Sequence, residues 1–266
     1  MMSSESTQKT ALFIGAHHDE IEVECPILPC KLASNGLRVV IVNPMGGWNW
    51  HVIRLKGKGA KEKIRDEALR AAEVLGCEKI IWDYPASVAS SDHRPEITRR
   101  LAELLMEINP AFVFIHWPYD SHPDHRLISQ ISYHVLQSAR NIVDDPQPEL
   151  LTEEVFAFQA AIYQTRDFWP DFCVLANEEE MNKAREALQC FETYGEEWKR
   201  WWRGLQAKTS YWTHLVGDGP AEAYKFIGPH LPIKGLALAE YLGDDIRAVT
   251  NEHWCFGSDF YSTSVP

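Results

Sequence analysis

Along its first half the chain alternates short, almost continuously apolar runs with longer stretches of helical period. The runs fall at 11–15, 37–42, 79–82 and 111–116. Each is too short for a helix and lacks the in–out alternation of a half-exposed strand, so each predicts a strand covered on both faces. Between the second and third, residues 59–75 place Ile64, Ala68, Ala71, Ala72 and Leu75 on one helical face, and Gly76 is placed to end that helix in the left-handed conformation. Residues 95–108 predict another helix, stopped by Asn109-Pro110, and 125–140 predict the helix after the fourth strand. Strand and helix in alternation give an α/β fold, a Rossmann-like and mostly parallel sheet flanked by helices. A 3-2-1-4 order would make the first and fourth strands neighbours.

The polar, proline-bearing stretch Asp144-Asp145-Pro146-Gln147-Pro148 interrupts the pattern. It divides an expected α/β core, residues 1–145, from a C-terminal part, 146–266, that completes the sheet and covers the site. A single domain over the whole length is the other organisation that 266 residues allow. Past the break, 155–163 and 172–175 predict strands. Residues 177–194 predict a helix capped by Asn177, with glutamates in its first turn. The stretch Trp198-Lys199-Arg200-Trp201-Trp202 is aromatic-rich and fixes no element, so the end of the chain reads as an irregular extension.

Composition narrows the function classes. The apolar fraction, 45%, is that of an ordinary globular chain. The net charge of -12 argues against nucleic acid, whose phosphates are bound by clustered Lys and Arg, and gives no attraction to an anionic membrane. Lys199, Arg200 and Arg203 among tryptophans therefore read better as an amphipathic helix, packed on the domain or on another subunit, than as a nucleic-acid platform. No apolar run reaches membrane-spanning length, and the first ten residues lack the apolar segment of a secretory signal. The six cysteines are scattered with no Cys-x-x-Cys pair and read as free thiols of a reducing compartment. The expected location is the cytoplasm.

Two dense groups of ionisable residues follow expected strands, where ligands of an open parallel sheet collect. Ala16-His17-His18-Asp19-Glu20-Ile21-Glu22 follows the first; His116-Trp117-Pro118-Tyr119-Asp120-Ser121-His122-Pro123-Asp124-His125 ends the fourth and runs on from it. In a first helical turn, i and i+3 project to one side, so His17 and Glu20 can meet one ion, and His122 and His125 can face one point. Two imidazoles and a carboxylate form the three-ligand set of a catalytic zinc site, with a fourth position for water. Such donors also suit iron, manganese or cobalt.

At these residues the sequence resembles the PIG-L/LmbE deacetylases. That family carries Ala-His-Pro-Asp-Asp-x-Glu after its first strand and His-Pro-Asp-His after a later one. The second motif is intact as His122-Pro123-Asp124-His125, and the first is altered to Ala16-His17-His18-Asp19-Glu20-Ile21-Glu22. Arg65-Asp66-Glu67 with Leu75-Gly76, the phrase Pro118-x-Asp120, and Ala221-Glu222-Ala223-Tyr224 add weaker likeness. The resemblance implies one zinc ion per chain on His17, Glu20 and His125, with Asp19 as general base and a protonated His122 steadying the oxyanion. Asp124 is expected to orient a histidine tautomer. His116 stands either behind the ligands or as a satisfied core histidine. Arg65 and Asp120 are expected at the substrate. Trp48 and Trp50 follow the second strand and suit either a platform for a sugar ring or packing beneath a loop.

The implied activity is hydrolysis of an N-acetyl group on an aminosugar or its conjugate. Two other functions are open: a zinc hydrolase of another amide or ester, and a non-catalytic small-molecule-binding module. The last is weakened because only Gly15 stands where a Gly-x-Gly-x-x-Gly turn would be. The aromatic tail and the family's habits predict a homo-oligomer. The chain also departs from the family: Glu20 stands for Asp, one methylene longer, and His18 for Pro. Cys25-Pro26-Ile27-Leu28-Pro29-Cys30 replaces the usual glycines, so the first helix should start late or kink.

Overall fold

The computed structural model describes residues 8–46, 56–57, 59–86, 92–144, 152–217, 219–228 and 235–249. Trp48, Trp50 and most of the expected boundary at 144–148 lie outside them.

The strands are β1 (Thr10–Ile14), β2 (Arg38–Met45), β3 (Glu78–Tyr84), β4 (Phe112–His116), β5 (Glu154–Phe158), β6 (Phe172–Leu175), β7 (Ala221–Gly228) and β8 (Ile246–Ala248). They form one sheet in the order β3-β2-β1-β4-β5-β7-β6-β8. The first five run parallel and the last three join antiparallel. Successive side chains of a strand face opposite sides, so β1 sends Ala11 and Phe13 into one core and Leu12 and Ile14 into the other. Stacking of Phe13, Phe114 and Phe156 across β1, β4 and β5 carries the first core through the sheet. The expected adjacency of β1 and β4 holds, with Ala11 opposite Phe112 and Ile14 opposite Ile115.

The helices are α1 (Glu20–Glu24), α2 (Ile27–Ser34), α3 (Ala60–Val74), α4 (Arg94–Ile108), α5 (Pro123–Val143), α6 (Glu178–Gln189), α7 (Glu197–Val216) and α8 (Ala239–Leu242). α3 buries Ile64, Ala68, Ala71 and Ala72 as the pattern requires, and Gly76 takes φ 77°. α6 opens on a capping box between Asn177 and Glu180 but ends at Gln189, short of the expected 194. Phe191 leaves helical geometry there to bury its ring, and a short 3-10 turn, Glu192–Tyr194, follows. The strand expected over 155–163 stops at Phe158, and 161–165 form a turn closed by Gln164 and Thr165 amides on the Ala161 carbonyl. The aromatic segment is the twenty-residue α7, whose Leu205, Lys208, Thr209, Trp212 and Val216 face inward. It packs against β7, α6 and α1.

The first helix is broken, as the prolines imply: α1 ends at Cys25, and Pro26 opens α2 with no side-chain cap of its own. The cap comes from β7. Glu222 accepts the Ile27 and Leu28 amides at 2.8 and 2.9 Å, and the Tyr224 hydroxyl donates to it at 2.7 Å. Two amides that a helix start leaves unpaired are thereby satisfied, and the motif Ala221-Glu222-Ala223-Tyr224 has a structural account.

Burial pushes Glu222 up to about 7, against the opposing Ile27 amide, Tyr224 hydroxyl and Leu28 amide. A raised carboxyl pKa means that the native state holds the proton more tightly. Its contribution is full below about pH 4.5 and is lost as pH rises to about 7. Glu222→Gln should therefore gain stability relative to wild type across that window, by about 3 kcal/mol. Urea denaturation at both ends of the window checks this. A wild-type-to-variant difference that does not move with pH contradicts it.

Candidate metal and active site

Parallel pairing of β1 with β4 brings the loops that leave their carboxyl ends onto one crevice. Gly15 ends β1 where no side chain fits: a Cβ there would lie 2.6 Å from Asn43 Nδ2 and 3.2 Å from Glu20 Oε2. The bare backbone lets the Glu20 carboxylate fold back over it. After β4, His122 caps α5 in an extended conformation, with Pro123 in the first turn. That turn projects His125 toward Glu20.

Glu20 is the centre. It is 6% exposed, and its two oxygens meet four groups. Oε1 lies 2.5 Å from His17 Nδ1 and 2.7 Å from His125 Nε2. Oε2 lies 2.6 Å from His116 Nε2 and accepts the Ala16 amide at 2.5 Å. The far nitrogen of each flanking imidazole is held in turn. His17 Nε2 meets Asp124 Oδ2 at 2.9 Å, and His125 Nδ1 meets Asp120 Oδ2 at 3.0 Å. Asp124, expected to orient a histidine, contacts His17. Asp120, expected at the substrate, commits one oxygen to His125 and the other to the His122 amide at 2.7 Å, contacts through which it braces both histidines.

These contacts set the charges of the metal-free protein. Burial opposes the charged form of His17, but Glu20 and the bond to Asp124 overcome it and raise its pKa to about 9. Burial likewise opposes charge on His125, which Glu20 and Asp120 raise to about 10. Glu20 is driven well below the usual carboxylate range: burial works against it, and His125, His116 and His17 prevail. Burial lowers His116 despite Glu20, and burial with His125 and His17 lowers His122. His122 Nδ1 accepts the Asp124 amide at 3.2 Å, which leaves the proton of a neutral ring on Nε2.

The donor chemistry fits a divalent cation. Two sets of three ligand atoms lie within 4.8 Å of one another, His17/His122/His125 and Glu20/His116/His125. Each expected ligand falls in one or both, with His125 in common. Carboxylate and imidazole donors without thiolate suit zinc, and carboxylates behind imidazoles are the usual means of fixing the ligating tautomer.

A cavity of about 520 Å³ opens above the cluster. His17, Glu20, His122 and His125 form its floor together with Asp19, which precedes α1 and makes no capping bond with its side chain. Arg65 does not join them. Its guanidinium turns to the Ile81 carbonyl at 3.1 Å and to Asp83 on β3, and it does not line the cavity. The rest of the wall escaped sequence reasoning. It comes from residues 161–164 and from the α7 face bearing Arg200, Trp201, Gly204 and Lys208. The one signal was the tryptophan-rich segment itself, which did not say which face would turn inward. His18, the residue in place of proline, is buried against Phe191 and stacked on Tyr194.

Because His17 and His125 carry protons at neutral pH, an entering divalent ion must expel them. Titrating zinc into metal-free protein at pH 7.5, in buffers of different ionisation enthalpy, should register release of about two protons. Affinity should rise with pH toward 9; binding without proton release contradicts this. His125→Ala removes the donor common to both sets and should empty the site by metal analysis, whereas near-stoichiometric zinc in that variant would refute it.

Residues 12–136 match the family described as PIG-L, GlcNAc-PI de-N-acetylase. The uncharacterized deacetylase YaiS of Escherichia coli K12 is 26% identical over 140 residues, 50% of this chain and 70% of YaiS. The N,N'-diacetylchitobiose deacetylase of Pyrococcus horikoshii superposes with a TM-score of 0.67 at 20% identity, over 86% of this chain and 88% of its own. The 4-carboxy-2-hydroxymuconate hydratase GalB of Pseudomonas putida KT2440 gives 0.66 at 23% identity, over 86% of this chain and 100% of its own. At such identities the likeness is one of fold, and that fold serves a hydratase as well as deacetylases. Over residues 12–136, which carry both histidine motifs, the chain is similar to the PIG-L family.

Proposed function

We propose that this chain is a metal-dependent N-deacetylase that hydrolyses an acetamido group on an aminosugar or its conjugate. The observation that carries the reading is the floor of the cavity. A buried carboxylate–imidazole cluster suited to zinc lies beside a carboxylate, Asp19, that makes no capping bond, and beside the Nε2–H of His122. The family match over residues 12–136 and the similarity to a deacetylase support the same chemistry.

His17, Glu20 and His125 would hold the ion. When bound, it would supply Lewis acidity to the amide carbonyl and lower the pKa of water at the site. Asp19 takes a proton from the attacking water as its oxygen bonds to the amide carbon. His122 donates its Nε2–H to the oxygen that gains negative charge. A neutral ring with the proton on Nε2 suffices, so the charged His122 implied by the resemblance is not required. The C–N bond then breaks, Asp19 returns its proton to the departing nitrogen, and acetate and a free amine leave. Asp120 and Asp124 keep the imidazoles in register throughout.

Asp19 and Glu20 are adjacent acids with separable roles. Asp19→Asn should retain its metal and lose on the order of 10²–10⁴ in kcat on an N-acetylaminosugar, the usual size of a general-base contribution. Glu20→Gln should lose metal affinity first. Amine release assayed beside metal content distinguishes them. A near-fully active Asp19→Asn, or the reverse pattern, contradicts the assignment.

A further inference from the structure

Away from the metal end, the cavity wall sets a run of apolar residues beside Glu24, Gln164, Arg200 and Lys208. Val23, Ile162, Tyr163, Trp201, Leu205 and Ala207 line it. The cations among them are already engaged. Lys208 Nζ holds Glu24 Oε2 at 2.9 Å and the Gln159 carbonyl at 3.0 Å, and Arg200 Nε meets Glu197 at 2.5 Å. An aminosugar would meet Gln164 and the Tyr163 hydroxyl here, while Val23, Ile162, Trp201, Leu205 and Ala207 offer it no polar side-chain partner beyond the Trp201 indole. At about 520 Å³ the space also falls within the roughly 300–1,000 Å³ of pockets for drug-sized ligands, far more than an acetyl group needs.

Gly204 is the second observation. It lies inside the twenty-residue α7 and lines the cavity. Its φ is not in the left-handed region, and a Cβ built on it meets nothing within 4 Å. Neither backbone conformation nor close packing calls for glycine, yet glycine inside a helix is destabilising relative to alanine. Gly204 is exposed where it lines the cavity, so a long side chain at 204 would stand at the cavity wall. Trp201, one turn earlier, is braced by Phe191 and Tyr194 at ring distances of 5.7 and 5.4 Å. Those two rings rest on His18. At the mouth, Ile162 and Tyr163 stand 40% and 85% exposed, apolar surface that a ligand would cover favourably.

We infer that the substrate carries an apolar group, alkyl or aromatic, attached to its N-acylated sugar, and that Gly204 keeps the space for it between Trp201 and the 161–164 turn. The inference rests on the deacetylase reading for the sugar, while the apolar subsite can be tested without turnover. Glucosamine and its hexyl and phenyl β-glycosides lack the amide and report binding alone. Calorimetry on the zinc-loaded protein should show at least one glycoside binding tenfold or more tighter than glucosamine, and the two arms separate alkyl from aromatic recognition. Gly204→Leu should abolish that preference and Gly204→Ala should reduce it. Both variants should melt no lower than wild type, since each replaces glycine in a helix. Equal affinity of wild type for all three compounds, including no binding, overturns the inference, as does a preference that survives Gly204→Leu. If the preference is found but the N-acetylated glycosides are not cleaved, the deacetylase reading falls and the subsite stands. Cleavage without preference overturns the subsite alone.

Discussion

A charged carboxylate at 6% exposure is the constraint on which the site is built. Removing such a group from water costs several kcal/mol, recovered only when every lone pair finds a good partner. Glu20 has three imidazoles and one amide, and supplying them dictates much else. His116 must end β4, so β4 must lie beside β1. Gly15 must be bare so that the carboxylate can fold back. Asp120 and Asp124 must stand behind His125 and His17, and the loop after β4 must turn into α5 at once. The extra methylene of Glu20 relative to the family's aspartate lets a side chain on the first residue of α1 reach inward to β4.

The C-terminal half holds this arrangement from the other side. Glu222 on β7 fixes the start of α2, and Lys208 on α7 ties the Glu24 carbonyl at the end of α1 to the carbonyls after β5. The short α1 is thus clamped at its C-terminal end by elements far away in sequence. Prolines 26 and 29 break the helix, and β7 and α7 make the break rigid. The same α7 face that grips α1 becomes the cavity wall, so the residues that shape substrate space are mechanically joined to those that shape the metal cluster.

What could be read from the sequence follows from how local each signal was. Strands β1 to β4 and their order were legible because buried parallel strands write continuous apolar runs, and the candidate site because its histidines and acids cluster at strand ends. Partnerships between side chains were not: Asp120 and Asp124 look equivalent in sequence, and only the turn at 120–125 decides that one meets His125 and the other His17. Arg65 was expected at the substrate only through the resemblance, and β3 offers its guanidinium a carbonyl and a carboxylate. α7 was legible only in part. Its tryptophans and cations suggested an amphipathic helix, but not its extent, and its inward face is set by β7 and α1, elements that no local window contains.

The central claim is that an ion sits where Glu20 now gathers imidazoles. Anomalous diffraction at the zinc edge, from crystals of the zinc-loaded protein, tests it most directly. One peak is predicted, about 2.0–2.2 Å from a nitrogen of His17, a nitrogen of His125 and an oxygen of Glu20. His116 and His122 should remain outside bonding distance. An ion held by His17, His122 and His125 with Glu20 uncoordinated, or no ion among these residues at full zinc loading, would contradict the account.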